Sequence, residues 1–237
     1  MIEIIKEYEL FQNKEITLFE PLENQGHCNI NYLLITEQKR YLIRKFKLQN
    51  DRELEFRVQK AVYRGGVGAK PILLDSQNGV MVCEFIDGTH KERLDRVSLR
   101  KLAILIKKLH RVKIRHKSIN LKKSFSFRDK KVQSAFIEIG RYKKELVLCH
   151  NDLHHQNIIF SNSIKLIDWE YAGINDRYFD LASVLIEFKL YKVDEEIFLR
   201  AYFGRDSKPN IKKLTAYKVI YKELWRLWFE KLDRGVL

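Results

Sequence analysis

Proline and glycine are scarce, three and ten in 237 residues. No Pro/Gly-rich stretch is therefore present to serve as a linker between independently folding domains. No apolar run reaches the roughly 18–20 residues needed to span a bilayer, so no membrane span is expected. Cysteine is limited to Cys28, Cys83 and Cys149. Three scattered thiols give neither a disulfide framework nor a metal-site spacing, and a reducing cytoplasm is the simplest home. The first ten residues carry three Glu and one Lys. That is unlike a secretory signal, which needs a basic start and an apolar core. Internal repeats and low-complexity segments are also lacking.

What is present is ordinary globular material, with 45% hydrophobic and 32% charged residues. The length suits one large domain or two small lobes. The net charge of +14 has three readings. A basic surface could meet nucleic acid or an anionic membrane. It could attract a polyphosphate such as ATP, or simply be solvated. Lys and Arg are spread along the chain rather than gathered in a tract, so no specific nucleic-acid partner is expected.

The first half reads as strands with one helix. Ile16–Leu22, Ile30–Ile35 and Arg40–Phe46 are apolar-rich runs, the last two split by the turn Glu37-Gln38-Lys39. Asn50-Asp51 offers a cap for a helix over Arg52–Arg64, which Gly65-Gly66 ends. Pro71–Leu74 and Val80–Phe85 form a second strand pair. After Gly88 the pattern turns helical, over about 97–112, 127–142, 179–191, 195–202 and 211–231, with a strand-loop-strand unit from Val147 to Ile167. The expected organisation is α+β, with residues 1–87 as a β-rich lobe and 88–237 as an α-rich lobe.

The segment richest in chemistry is His150-Asn151-Asp152-Leu153-His154-His155-Gln156-Asn157, followed eleven residues later by Asp168 at a strand end. A polar loop gripped between two short apolar strands can bring Asp152, Asn157 and Asp168 to one spot. Phosphoryl transfer needs such a set. One carboxylate orients the attacking hydroxyl and accepts its proton, while an amide oxygen and a second carboxylate hold Mg²⁺ against the phosphates. Asp152 is assigned as base and Asn157 and Asp168 as metal ligands. His150, His154 and His155 with Asp152 could instead bind a transition metal, but that leaves Asn157 and Asp168 unexplained. His150 is expected to brace the loop by hydrogen bonding.

These residues resemble the aminoglycoside phosphotransferase and choline kinase superfamily. The wording His150-Asn151-Asp152 and the run Ile167-Asp168-Trp169-Glu170-Tyr171, with Asn175, Asp180 and Glu187 at their offsets, are similar to the choline kinase signature. The resemblance implies a protein-kinase-like bilobal fold, an N-terminal ATP-binding lobe and a C-terminal catalytic and substrate-binding lobe. It implies ATP and Mg²⁺ as cofactors and a small cationic alcohol as substrate, with a homodimer as one possible state. In the small lobe, Gly26–Asn31 resembles the phosphate-covering loop, with Asn29 as a cofactor contact and only one Gly retained. Arg44 takes the place of the basic residue on the nucleotide phosphates, with Lys45 facing away and Glu55 as its partner. Cys83–Gly88 resembles the hinge, where backbone groups of Glu84 and Ile86 would pair with adenine.

The resemblance also places Asp180 under the catalytic loop as an acceptor for its backbone, with a helix N-cap as the alternative or additional role. Choline carries a permanent charge and no N–H, so its site needs aromatic faces and a carboxylate. Trp225 and Trp228, three apart on one helix face with Tyr221 and Phe229 nearby, match the family's tryptophan pair, and Glu187 matches its carboxylate. Core packing is the competing reading of the tryptophans. Tyr191 falls one place off the family's tyrosine. Ethanolamine, thiamine and aminoglycosides are the other acceptors to weigh; a non-catalytic kinase-fold or RNA-binding module is the reading outside enzymes.

Overall fold

The computed structural model describes residues 1–23, 25, 28–48, 51–125 and 129–234. The chain divides into two compact units, Met1–Gly88 and Thr89–Leu237.

The first unit is a five-stranded antiparallel sheet in the order β1-β2-β3-β5-β4, made of β1 (Ile16–Pro21), β2 (Asn29–Thr36), β3 (Arg40–Phe46), β4 (Pro71–Asp75) and β5 (Val80–Glu84). Leu34, Tyr41, Ile43, Val80 and Val82 bury one face of it against Ile5 and Phe11. Ile5 belongs to α1 (Ile2–Glu7), which the sequence reading missed, so this unit holds two helices among its described residues rather than one. Six residues are too few to show a periodic stripe. The second helix, α2 (Arg52–Arg64), has the boundaries its sequence predicts. The Asp51 side chain accepts from the Leu54 N–H at its start, and Gly65 closes it. Gly79 closes the β4–β5 turn at φ +59°, a conformation open to glycine.

The second unit is mostly helical: α3 (Arg96–Leu109), α4 (Lys130–Gly140), α5 (Arg177–Glu187), α6 (Lys192–Phe203) and α7 (Ile211–Asp233). α3 packs on α6, and α7 packs on both α4 and α5. Leu99, Leu102, Ile106 and Leu109 form the buried stripe of α3 that its spacing predicts. The expected helix start near Phe127 lies outside the described residues.

Two small antiparallel pairs carry the loops of interest. β6 (Leu146–Cys149) pairs with β9 (Gly173–Asp176), and β7 (Ile158–Phe160) pairs with β8 (Ile164–Leu166). The polar loop is therefore held between two different sheets, not between strands of one unit as the sequence suggests. β9 escaped the sequence reading because Asn175 and Asp176 break its apolar pattern. No helix is long and apolar enough to cross a membrane among the described residues.

Candidate active site

The loop after β6 is pinned from below. The Asp180 carboxylate, fully buried on α5, accepts the backbone N–H of His150 at 2.8 Å and of Asn151 at 2.9 Å. This is the backbone-acceptor role expected for Asp180. The alternative of a helix N-cap is corrected: α5 starts at Arg177, and Asp176 caps it by accepting from the Tyr178 N–H. Asn151 sits at φ 66°, a left-handed turn that asparagine tolerates. Its side chain donates to the Tyr171 carbonyl at 2.9 Å and accepts from Asn175 at 2.8 Å. The turn that delivers Asp152 is thus fixed at backbone and side chain together.

Asp152 is buried, and its two oxygens differ. Asn157 Nδ2 donates to Asp152 Oδ2 and to the Asp152 carbonyl, each at 2.9 Å. Oδ1 has no hydrogen-bond partner. A water or a ligand hydroxyl would satisfy it. Asn157 thus spends its amide N–H groups on Asp152. The Asn157 carbonyl receives the Ile167 N–H at 3.0 Å, which ties the loop to the segment entering Asp168. Asp168 sits at φ 65°, a strained backbone for a residue other than glycine. Amide and carboxylate oxygens such as those of Asn157 and Asp168 are hard donors of the kind Mg²⁺ prefers.

His150 braces the loop as expected. Its Nε2 lies 2.8 Å from the Ile167 carbonyl, and its ring packs 4.7 Å from the buried Trp169 ring. The transition-metal reading of His150, His154, His155 and Asp152 is not supported. Among the described residues, the only group of three or more His, Cys, Asp or Glu side chains that converges is His110, Cys149 and Asp180. His154 Nε2 instead lies 3.7 Å from Asp152 Oδ2. Burial would lower the His154 pKa, but contact with Asp152 and the charges of Asp152, Glu187 and Asp168 outweigh it and hold it above the ordinary histidine value.

From His154 the site runs into aromatic residues. The Trp225 ring stands edge-on to the His154 ring at 6.3 Å, and Trp228 meets Trp225 at 5.4 Å. Tyr221, one turn earlier on α7, donates its hydroxyl to Glu187 Oε1 at 3.0 Å. Burial first, and the Glu187 charge next, push the Tyr221 phenol well above its usual pKa, so it stays a neutral donor. Tyr221 is buried, and Trp225 and Trp228 are part-buried. Tyr191 is 81% exposed at the start of α6 and takes no part in this cluster.

In the first unit, Arg44 and Glu55 form a buried ion pair at 2.6 Å, and Arg52 also reaches Glu55 at 2.7 Å. Asn29 is the first residue of β2 rather than a loop residue. With its amide oxygen facing Arg44 it accepts from the guanidinium at 2.7 Å. Gly26 and His27 lie outside the described residues. Lys45 turns away and donates to the Asn78 carbonyl at 2.5 Å, as the strand alternation predicts. At the expected hinge, the Glu84 N–H is already committed to the Lys70 carbonyl at 2.8 Å. Ile86 lies beyond the end of β5, in the segment leading to Gly88.

Sequence reasoning missed Arg52, His110, Tyr202 and Lys213. Arg52 opens α2, His110 follows the last residue of α3, and Tyr202 and Lys213 lie within α6 and α7; a polar group beside buried apolar neighbours was the signal available.

Comparison with known proteins agrees with this geometry. The Choline/ethanolamine kinase family model matches residues 123–217. Protein LicA of Haemophilus influenzae is 24% identical over 240 aligned residues, covering 86% of this chain and 70% of that protein. The crystal structure of choline kinase LicA from Streptococcus pneumoniae superposes with a TM-score of 0.84 at 24% identity, covering 99% of this chain and 92% of that one. A LicA structure solved in complex with AMP gives 0.79 at 25% identity, covering 99% and 91%. The protein-kinase-like α+β fold, together with the similarity of residues 123–217 to the Choline/ethanolamine kinase family, supports a small-molecule kinase.

Proposed function

We propose that the chain transfers the γ-phosphoryl group of ATP to the hydroxyl of a small cationic alcohol, choline or ethanolamine, in a Mg²⁺-dependent reaction. The observation that carries this reading is the unpartnered, buried Asp152 Oδ1 beside a carboxylate-and-aromatic cluster built from Glu187, Tyr221 and Trp225. An acceptor hydroxyl donating to Oδ1 would complete that oxygen's hydrogen bonding. Asp152 would then take the proton as the oxygen attacks phosphorus, with Asn157 holding Oδ2 so that only Oδ1 faces the acceptor.

The oxygen donors of Asn157 and Asp168 suit Mg²⁺, which when bound supplies charge neutralisation to the phosphates. In the first unit, Glu55 holds the Arg44 guanidinium in one orientation, from which it would meet nucleotide phosphate. The backbone at Glu84 and Ile86 would meet adenine; with the Glu84 N–H spent, this falls to carbonyl oxygens and the Ile86 N–H.

The cation of the acceptor would sit against Trp225 and Trp228 with Glu187 nearby. A quaternary ammonium has no N–H to donate, so ring faces and a diffuse negative charge are the partners it can use. An aminoglycoside, with several cationic centres, would want more carboxylates than Glu187 provides. Nucleotide chemistry and three buried free thiols suit a reducing cytoplasm.

The test is steady-state kinetics with Glu187→Gln. KM for choline should rise roughly tenfold while KM for ATP stays within about twofold, since the lost charge lies on the aromatic side of the site, where the acceptor cation would sit. Equal effects on both would remove Glu187 from the acceptor site.

A further inference from the structure

The buried His110, at the C-terminal end of α3, joins two groups that have no part in the reaction chemistry. Its Nδ1 lies 2.6 Å from the Tyr202 hydroxyl on α6, and its Nε2 lies 3.0 Å from Asp180 Oδ2 on α5. Asp180 is the same carboxylate that receives the backbone N–H groups of His150 and Asn151.

Counting protons fixes the direction of each bond. Asp180 is an acceptor for the His150 and Asn151 N–H groups, so the tautomer of His110 that fits carries its proton on Nε2. Nδ1 then offers a lone pair, and Tyr202 must donate to it. Burial, more than the surrounding charges, pushes the Tyr202 phenol above its ordinary pKa and keeps that proton in place. The resulting chain runs Tyr202 O–H to His110, His110 N–H to Asp180, and Asp180 to the loop. Both ring nitrogens of His110 are thereby spent. The proximity of His110, Cys149 and Asp180 is accounted for as a hydrogen-bonded network rather than a metal site, with Cys149 Sγ at 3.9 Å from Nε2.

We propose that Tyr202 and His110 are positioning residues that set the catalytic loop through Asp180. This rests on the kinase reading above for its effect on turnover, but not for its effect on the loop. Without His110 the carboxylate loses one of the donors that orient it. Its grip on the two residues preceding Asp152 would then loosen. Without the Tyr202 hydroxyl the imidazole keeps Asp180 but loses its own anchor.

The experiment compares His110→Leu, His110→Gln and Tyr202→Phe by two readouts: amide hydrogen exchange over residues 149–158, and steady-state kinetics with ATP and choline. Glutamine can place its amide N–H where Nε2–H was, whereas leucine fills similar space without a donor. We expect kcat to fall roughly 10–100-fold in His110→Leu, with both KM values within about twofold. Tyr202→Phe should lose about 3–10-fold, and His110→Gln should recover to within about threefold of the unmodified protein. Exchange at His150 and Asn151 should quicken in the leucine and phenylalanine variants and not in the glutamine variant.

Equal losses for leucine and glutamine would overturn the proposal, since packing alone would then explain them. So would a fall in kcat with unchanged exchange at His150 and Asn151. Should His110→Leu fail to fold, Tyr202→Phe, which removes one oxygen, carries the same comparison. If the unmodified protein turns over no alcohol, faster exchange still supports the positioning role and unchanged exchange still refutes it, while the kinase reading falls separately.

Discussion

Asp152 separates its two oxygens, one held by Asn157 and one left open. Asp152→Asn keeps the shape and removes the proposed base. We expect kcat to fall by about 10²–10⁴-fold, the range of a positioned general base, with an unchanged circular dichroism spectrum. Activity within a few-fold of the unmodified protein would place the base elsewhere. Trp225→Ala should raise KM for choline by roughly 5–30-fold, the loss of one desolvated cation–π contact, and leave KM for ATP nearly unchanged; initial-rate kinetics on each substrate separates the two. Asp152, Asn157 and Asp168 could be proposed from the sequence because one short loop and one strand pair carry all three, and the Asn157–Asp152 hydrogen bond joins two of them. Glu187, Trp225 and Trp228 were proposed from a family resemblance, and the contact of Trp225 with His154 shows that α7 reaches the loop. His110 and Tyr202 were not legible. Their partners lie 70 and 92 residues from His110 along the chain, and a polar residue closing an apolar stripe does not announce what it bonds.

At the scale of elements, the long helices were read to within a few residues because each carries an apolar stripe, and α2 carries its cap as well. The four-residue β9 and the six-residue α1 were too short for that signal. The start of α5 shows a subtler difficulty, since two aspartates stand four apart and both look like caps. The upstream one, Asp176, takes the cap and also forms a buried ion pair with Lys213 of α7 at 2.7 Å. Lys213 further donates to the Lys143 carbonyl at 2.9 Å. This single side chain ties α7 to the start of the helix that carries Asp180 and Glu187. Lys213→Met leaves Asp176 buried without its counter-charge, and should lower stability by about 3–5 kcal/mol in urea unfolding. A loss under about 1 kcal/mol would mean that water already satisfies the pair.

For the whole molecule, the net charge of +14 is a physical statement about encounter with anions. If that surplus draws in ATP, kcat/KM for ATP falls as salt rises from low to physiological strength while kcat stays level. The strand-rich half followed by the helix-rich half was legible from periodicity alone, because pattern period changes from two to about 3.6 soon after Gly88. The acceptor was not, because choline, ethanolamine and thiamine differ by groups that a single carboxylate and a pair of rings do not announce in a sequence. The most direct test of the account is ADP release from ATP in the presence and absence of Mg²⁺, with choline, ethanolamine, thiamine and kanamycin offered separately and Asp152→Asn as control. The account predicts Mg²⁺-dependent stimulation by choline or ethanolamine that disappears in the variant. Stimulation by kanamycin alone, or by no acceptor, would contradict it.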